Sequence, residues 1–108
     1  MRKTGLTLLA SLIAWVAFTV HAADEIMLTD FNGEPRTIES YAGDGRWLVV
    51  MVWAHNCHIC NQEAEAYAQF HESHRNNDAH VIGVSIDGAA NRADAEAFIA
   101  RHDLPFRT

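Results

Sequence analysis

The hydrophobic positions change rhythm several times along the chain. Leu6 to Val20 (LTLLASLIAWVAFTV) is an apolar run without charge, preceded by Arg2 and Lys3. Residues 24–41 read differently: Ile26 and Leu28 alternate with Met27 and Thr29, and Asn32-Gly33 is a strong turn signal. Pro35 stops a helix from crossing, so a short hairpin is expected there. Ala42 to Arg46 (AGDGR) is a loop. Trp47 to Ala54 (WLVVMVWA) is an unbroken valine-rich run, too short for a typical helix. It predicts a central strand buried on both faces, as in a parallel sheet.

From Cys57 the spacing turns helical, with Cys60, Ala64, Tyr67, Ala68 and His71 on one face. Glu63, Glu65, Glu72 and Arg75 point toward water. Asn56 is expected as the N-cap, and Asn76-Asn77-Asp78 ends the helix. His80 to Asp87 (HVIGVSID) is a second β-branched strand. Gly88 turns the chain, and Asn91 is expected to cap a second helix with Asp94 near its positive end. Ala95, Phe98, Ile99 and His102 form the inner face, and Leu104-Pro105-Phe106 opens another extended segment. The order is hairpin, strand, helix, strand, helix. It predicts an α/β fold around a parallel βαβ unit, with both cysteines at the strand-to-helix junction.

The first apolar run has the form of an export signal. Val20-His21-Ala22 supplies small residues at the −3 and −1 positions, predicting a signal over residues 1–22 and a mature start at Ala23. The rival is an uncleaved anchor, since Thr4 to Ala23 is about the ~20 residues a membrane helix needs. Cleavage is favoured because His21 and the small-residue site break the run early. Export places the protein in the periplasm or otherwise outside the cytosol, where disulfides persist. Removing residues 1–22 leaves six basic against fourteen acidic residues, a formal charge of −8 with no lysine. Such a surface repels phosphate backbones and offers no polybasic membrane patch, so no nucleic-acid partner is expected. A membrane contact is expected only if the N-terminal segment stays uncleaved.

Both cysteines lie in WAHNCHIC, Trp53 to Cys60. A thiol attacks a disulfide only as its thiolate. A cysteine at the start of a helix faces unpaired N–H groups and the positive end of the macrodipole, which stabilise that anion. Cysteines so placed have pKa values of about 3.5–7.5, against about 8.5 when free. Cys57 is therefore the expected nucleophile, and Cys60, one turn further in, the resolving thiol. A protonated His58 would stabilise the thiolate further, which makes it a candidate tuning residue. His55 reads as a bystander.

Two cysteines at this spacing can serve other ends. A structural staple closing four residues gains only about 2 kcal/mol on the loop-closure formula. Haem attachment needs CxxCH, and position 61 is Asn. Zinc needs four converging ligands, a helix N-terminus repels a cation, and residues 57 and 58 point apart. Two-coordinate Cu(I) suits soft sulfur, so a periplasmic copper carrier using the same two thiols stays open as the alternative. His71, His74, His80 and His102 read as surface or half-buried residues, and no metal site is assigned to them.

Trp53-Ala54, two residues, then Cys57-x-x-Cys60 resembles the thioredoxin-like W-A-x-x-C-x-x-C active site. Val81 to Asp87 (VIGVSID) resembles the strand after the active-site helix in TlpA-type and redoxin proteins. Phe31 to Trp47 (FNGEPRTIESYAGDGRW) resembles their lead-in, and Leu104-Pro105-Phe106 their link after the second helix. The resemblance spans roughly residues 26–106. It implies a thioredoxin-like fold and thiol–disulfide exchange with partner proteins, in the reducing direction. Cys57 and Cys60 would form the redox-active pair, and Trp53 part of the wall beside it. No organic cofactor is implied, because electrons pass to or from another dithiol protein. Peroxidase chemistry is disfavoured, since the Pro-x-x-x-Thr-x-x-Cys signature is missing.

The sequence also departs from that pattern. Asn56 stands where Trp is usual, Ile59 where proline is common, and Met51 where thioredoxin proper has a buried acid. An outside base or a histidine is then needed to take the proton from Cys60. Pro35 and Pro105 are the chain's two prolines, and neither is placed for the cis-proline loop that faces the disulfide in the family. Residues 23–108 are therefore expected to be a partial thioredoxin-like domain, lacking that loop and the strands and helix that follow. In the family those later strands lie beside the WLVVMVWA strand, whose edge would otherwise be bare.

Overall fold

The computed structural model describes residues 24–108, so the expected signal or anchor lies outside the described residues. The first element is a hairpin of β1 (Met27–Thr29) and β2 (Pro35–Thr37), paired antiparallel with Leu28 opposite Arg36. Asp30 shapes its turn: its Oδ1 accepts the N–H groups of Asn32 and Glu34, each at 2.9 Å. Gly33 takes φ +83°, a conformation that costs a side-chain-bearing residue dearly. A short 3-10 turn, Ile38–Tyr41, then leads through the glycine loop to the sheet.

Strand β3 (Trp47–Trp53) runs parallel to β4 (Ala79–Ser85), and α1 (His58–His74) makes the crossover. The register pairs Trp47 with Ala79 and Trp53 with Ser85. A second helix, α2 (Arg92–Arg101), follows β4 after a short 3-10 turn. Alternate residues of β3 face opposite ways. Met51 and Trp53 enter the core with Val81, Ala64 of α1, and Ala95 and Phe98 of α2. Trp53 and Phe98 stack at 4.2 Å between ring centroids. The hydrophobic run thus does what its composition requires, but on one face.

β3 has fully buried residues on one face only, where burial on both was expected. On the face opposite Met51 and Trp53, Val52 is 59% exposed, and Leu48 and Val50 are only half-buried. Among the described residues β3 pairs only with β4, so its other edge carries no partner strand. The far edge of β4 is partly covered. Gly83 donates its N–H to Arg107 O at 2.7 Å, which lays the segment after Pro105 along that edge. Gly83 permits this approach: a Cβ there would come within 3.0 Å of Thr108 and of the Trp53 indole nitrogen. Two residues further back, Val81 N–H donates to His71 Nδ1 at 3.0 Å. His71 is therefore a buried partner for a strand edge, where a surface or half-buried role was expected. Burial holds its pKa below the ordinary imidazole value, so the ring is neutral and free to accept.

Candidate active site

β3 ends at Trp53, and the chain must then turn into α1 within four residues. A bond from Cys57 N–H to Ala54 O, 3.1 Å, closes that turn. Asn56 lies inside it, exposed, and is not the helix cap. Cys57 takes that place. Its backbone is extended (φ −77°, ψ 113°), and its Sγ accepts the Cys60 N–H at 3.2 Å. The correction has a simple cause: the bond back to Ala54 delays the first helical residue by one, so a sulfur replaces the amide as cap.

Cys57 and Cys60 are joined in a disulfide, with their Cα atoms 5.2 Å apart. Both are half-buried, and Cys60 packs against the core. The first turn of α1 contains no acidic residue. His58 is exposed at the first helical position. Trp53 is almost wholly buried and stacked on Phe98, so it forms part of the core at the end of β3.

A histidine read as a bystander is tied into the fold. The two oxygens of Asp87 accept His55 N–H at 3.0 and 3.2 Å, and the His55 ring meets Asp87 Oδ1 through Nδ1 at 2.5 Å. Asp94 lies 3.8 Å from the other ring nitrogen. The Asp87 side chain is only 4% exposed and also accepts from Ser85 Oγ at 2.7 Å. Burial pushes its pKa up, but the bonds from Ser85 and from the ring and amide of His55 outweigh it. The carboxyl is held below its ordinary value. The sheet register, which the sequence alone does not show, brings this pair together. Trp53 pairs with Ser85, so two residues further on His55 meets Asp87.

Asn91 sits at the N-cap of α2 but makes no capping bond; its amide donates to Asp87 O at 3.0 Å. Two further histidines have partners of their own. His74 meets Asp78 at 2.7 Å, and His80 meets Tyr41 O at 3.0 Å. Among the described residues no group of three or more His, Cys, Asp or Glu side chains could hold a metal ion. Among them, too, no helix is long and apolar enough to cross a membrane.

The model of the AhpC/TSA family covers residues 19–108. The chain belongs to the AhpC/TSA family. No curated protein matches the sequence. Among solved structures, this AhpC/TSA chain is similar to a secreted disulfide oxidoreductase of Mycobacterium tuberculosis. The TM-score is 0.63 and the identity 22%, over 79% of this chain and 61% of that one. It is also similar to the thioredoxin domain of a thiol-disulfide oxidoreductase from Bacteroides vulgatus, with TM-score 0.66 and 18% identity, over 81% of this chain and 59% of the other. A thiol:disulfide interchange protein from Bacteroides sp. gives TM-score 0.65 and 19% identity, over 78% and 53%. At these identities the likeness establishes a thioredoxin-like fold. The AhpC/TSA chain spans between about half and three fifths of the length of these structures.

Proposed function

We propose that this protein is an exported thiol–disulfide oxidoreductase of the TlpA type that reduces disulfides in partner proteins. The observation that carries this reading is the bond from Cys60 N–H to Cys57 Sγ at 3.2 Å, at the start of a helix whose first turn holds no carboxylate. The same N–H that the Cys57 sulfur caps in the oxidised state stabilises a thiolate in the reduced one. The family and the CxxC disulfide support the activity.

The reaction runs in two exchanges. In reduced protein the Cys57 thiolate attacks one sulfur of the partner's disulfide. A mixed disulfide forms, and the partner's other sulfur leaves as a thiolate. Cys60, deprotonated, then attacks Cys57 Sγ. The internal disulfide forms and the second partner thiolate departs. Two electrons have moved from the CxxC pair to the partner, which takes up two protons as its thiolates become thiols. A second dithiol protein reduces the pair again. His58 at the helix start favours the thiolate when protonated, and Trp53 is part of the wall beside the site.

The reading is tested by insulin reduction with dithiothreitol. The protein accelerates precipitation of the B chain, and Cys57→Ser abolishes the acceleration. Activity retained in that variant would end the assignment of Cys57 as nucleophile. Export is checked separately by fractionation and N-terminal sequencing, with mature protein beginning at Ala23 in the periplasm as the expected result.

A further inference from the structure

One side chain joins the cysteine turn to the far end of α2. Asn61, immediately after Cys60, donates through Nδ2 to Cys57 O at 2.9 Å and to His55 O at 3.2 Å. Its Oδ1 accepts from Arg101 Nη1 at 3.0 Å and lies 2.9 Å from His102 Nε2. An amide has two N–H donors and two acceptor lone pairs, and all four are used here. The orientation follows from the partners. Arginine can only donate and backbone carbonyls only accept, so Oδ1 must face Arg101 and Nδ2 the turn. His102 then donates from Nε2. Its ring packs on Phe98, at 4.5 Å between centroids, and Phe98 in turn stacks on Trp53.

We propose that Asn61 is a positioning residue that sets the reactivity of Cys57 by holding the 55–57 turn against the start of α1. The inference rests on the reading of Cys57 as the attacking thiol. Cys57 is held on its amide side by Ala54 O. On its carbonyl side it is held twice by residue 61, through the backbone N–H at 3.0 Å and the side chain at 2.9 Å. With both peptide flanks fixed, the Sγ stays over the Cys60 N–H.

The two redox states need this support unequally. In the disulfide, the covalent bond to Cys60 holds the sulfur in place. In the dithiol, only the backbone does. Loss of Asn61 therefore falls mainly on the reduced form, where the turn is freed and the thiolate loses a fixed donor. Weaker thiolate stabilisation makes the dithiol less favourable and the disulfide harder to reduce.

The test is Asn61→Leu, which keeps the size and removes all four bonds without adding charge. The Cys57 thiolate fraction at neutral pH, read from the pH profile of iodoacetamide alkylation, falls about tenfold. The Cys57–Cys60 potential falls by about 30 mV, the same tenfold for a two-electron couple. A merely structural role would lower the melting temperature and leave the thiol titration unchanged, and that result in a folded variant overturns the proposal. Where Leu prevents folding, Asn61→Asp keeps the shape and the Arg101 and His102 partners while losing both donations. Read at high salt to screen its charge, an unshifted titration there overturns it equally. Insulin reduction reports on the other reading: no activity in the wild type, with the titration still dependent on residue 61, sinks the function and spares the positioning.

Discussion

The two helices begin in the same setting and differ in how they begin. Each follows the carboxyl end of a parallel strand. At α1 the cap is a sulfur that accepts the Cys60 N–H, and the first turn has no acid. At α2 the residue in the cap position makes no capping bond, and Asp94 stands in the first turn. A carboxylate in the first turn answers the positive end of the macrodipole and adds stability. At α1 that answer is withheld, so the field is left for the sulfur. The acids are near by all the same, on the other side of the turn. Asp87 and Asp94 both meet the imidazole of His55, and Asp87 also accepts the backbone N–H of His55 in the turn that leads to Cys57.

Asp87 offers the harshest way to break this arrangement. Its buried carboxylate accepts the amide and ring of His55 and the Ser85 hydroxyl. Asp87→Ala leaves the His55 N–H and the Ser85 hydroxyl without that acceptor. Hydrogen bonds to charged groups contribute roughly 1.5–3 kcal/mol each, and they do not add fully. A loss of about 2–4 kcal/mol in urea denaturation is expected. The pH dependence has a definite sign. The folded-state pKa of Asp87 lies below its ordinary value, so its contribution is present above the unfolded value of about 3.9. It drains away as the pH falls through the folded value. Wild type and Asp87→Asn should therefore converge in stability below about pH 4. Parallel curves down to low pH would show that the carboxylate is not the source.

Much of this architecture was legible because it depends on short-range pattern. The alternation at Ile26 and Leu28, the turn at Asn32-Gly33, the β-branched runs and the three-four spacing from Cys60 to His71 each report a local backbone preference. The inner face of α2 was legible for the same reason. What escaped is tertiary. The cap moved from Asn56 to Cys57 because of a bond to Ala54 O that forms only once β3 has ended at Trp53. The burial of His71 depends on an edge N–H of β4, and the face of Val52 on which elements cover the sheet. His55 and Asp87 lie 32 positions apart and meet only through the sheet register. Of the site itself, the sulfur pair and its place on the helix could be read in advance, whereas the polar groups that hold the turn could not.

The difference between the helix starts can be narrowed from the α1 side. Ile59 lies between the cysteines in the first turn and is 56% exposed, so a carboxylate there needs little repacking. Ile59→Glu makes α1 resemble α2. The new charge takes up the macrodipole and repels the thiolate, so both effects disfavour the ionised Cys57. The thiolate fraction at neutral pH should fall roughly five- to tenfold, about 1–1.4 kcal/mol. Ile59→Gln, which adds length without charge, should titrate close to wild type. If Glu and Gln behave alike, the open first turn is not what stabilises the sulfur.

The converse change belongs to α2 and is the gentlest. Asp94 is 63% exposed, so its service to the helix is screened by water and salt. Asp94→Asn should destabilise the protein by about 0.3–1 kcal/mol at low ionic strength, and by less at 0.5 M salt. The same substitution withdraws one of the two carboxylates facing His55. That contact, at 3.8 Å, is longer than the Asp87 bond, so the turn should keep its place. The alkylation profile of Cys57 should consequently move less than it does in Ile59→Glu. An equal or larger movement would mean that the acids reach the sulfur through His55, and that the two helix starts are not electrostatically separate.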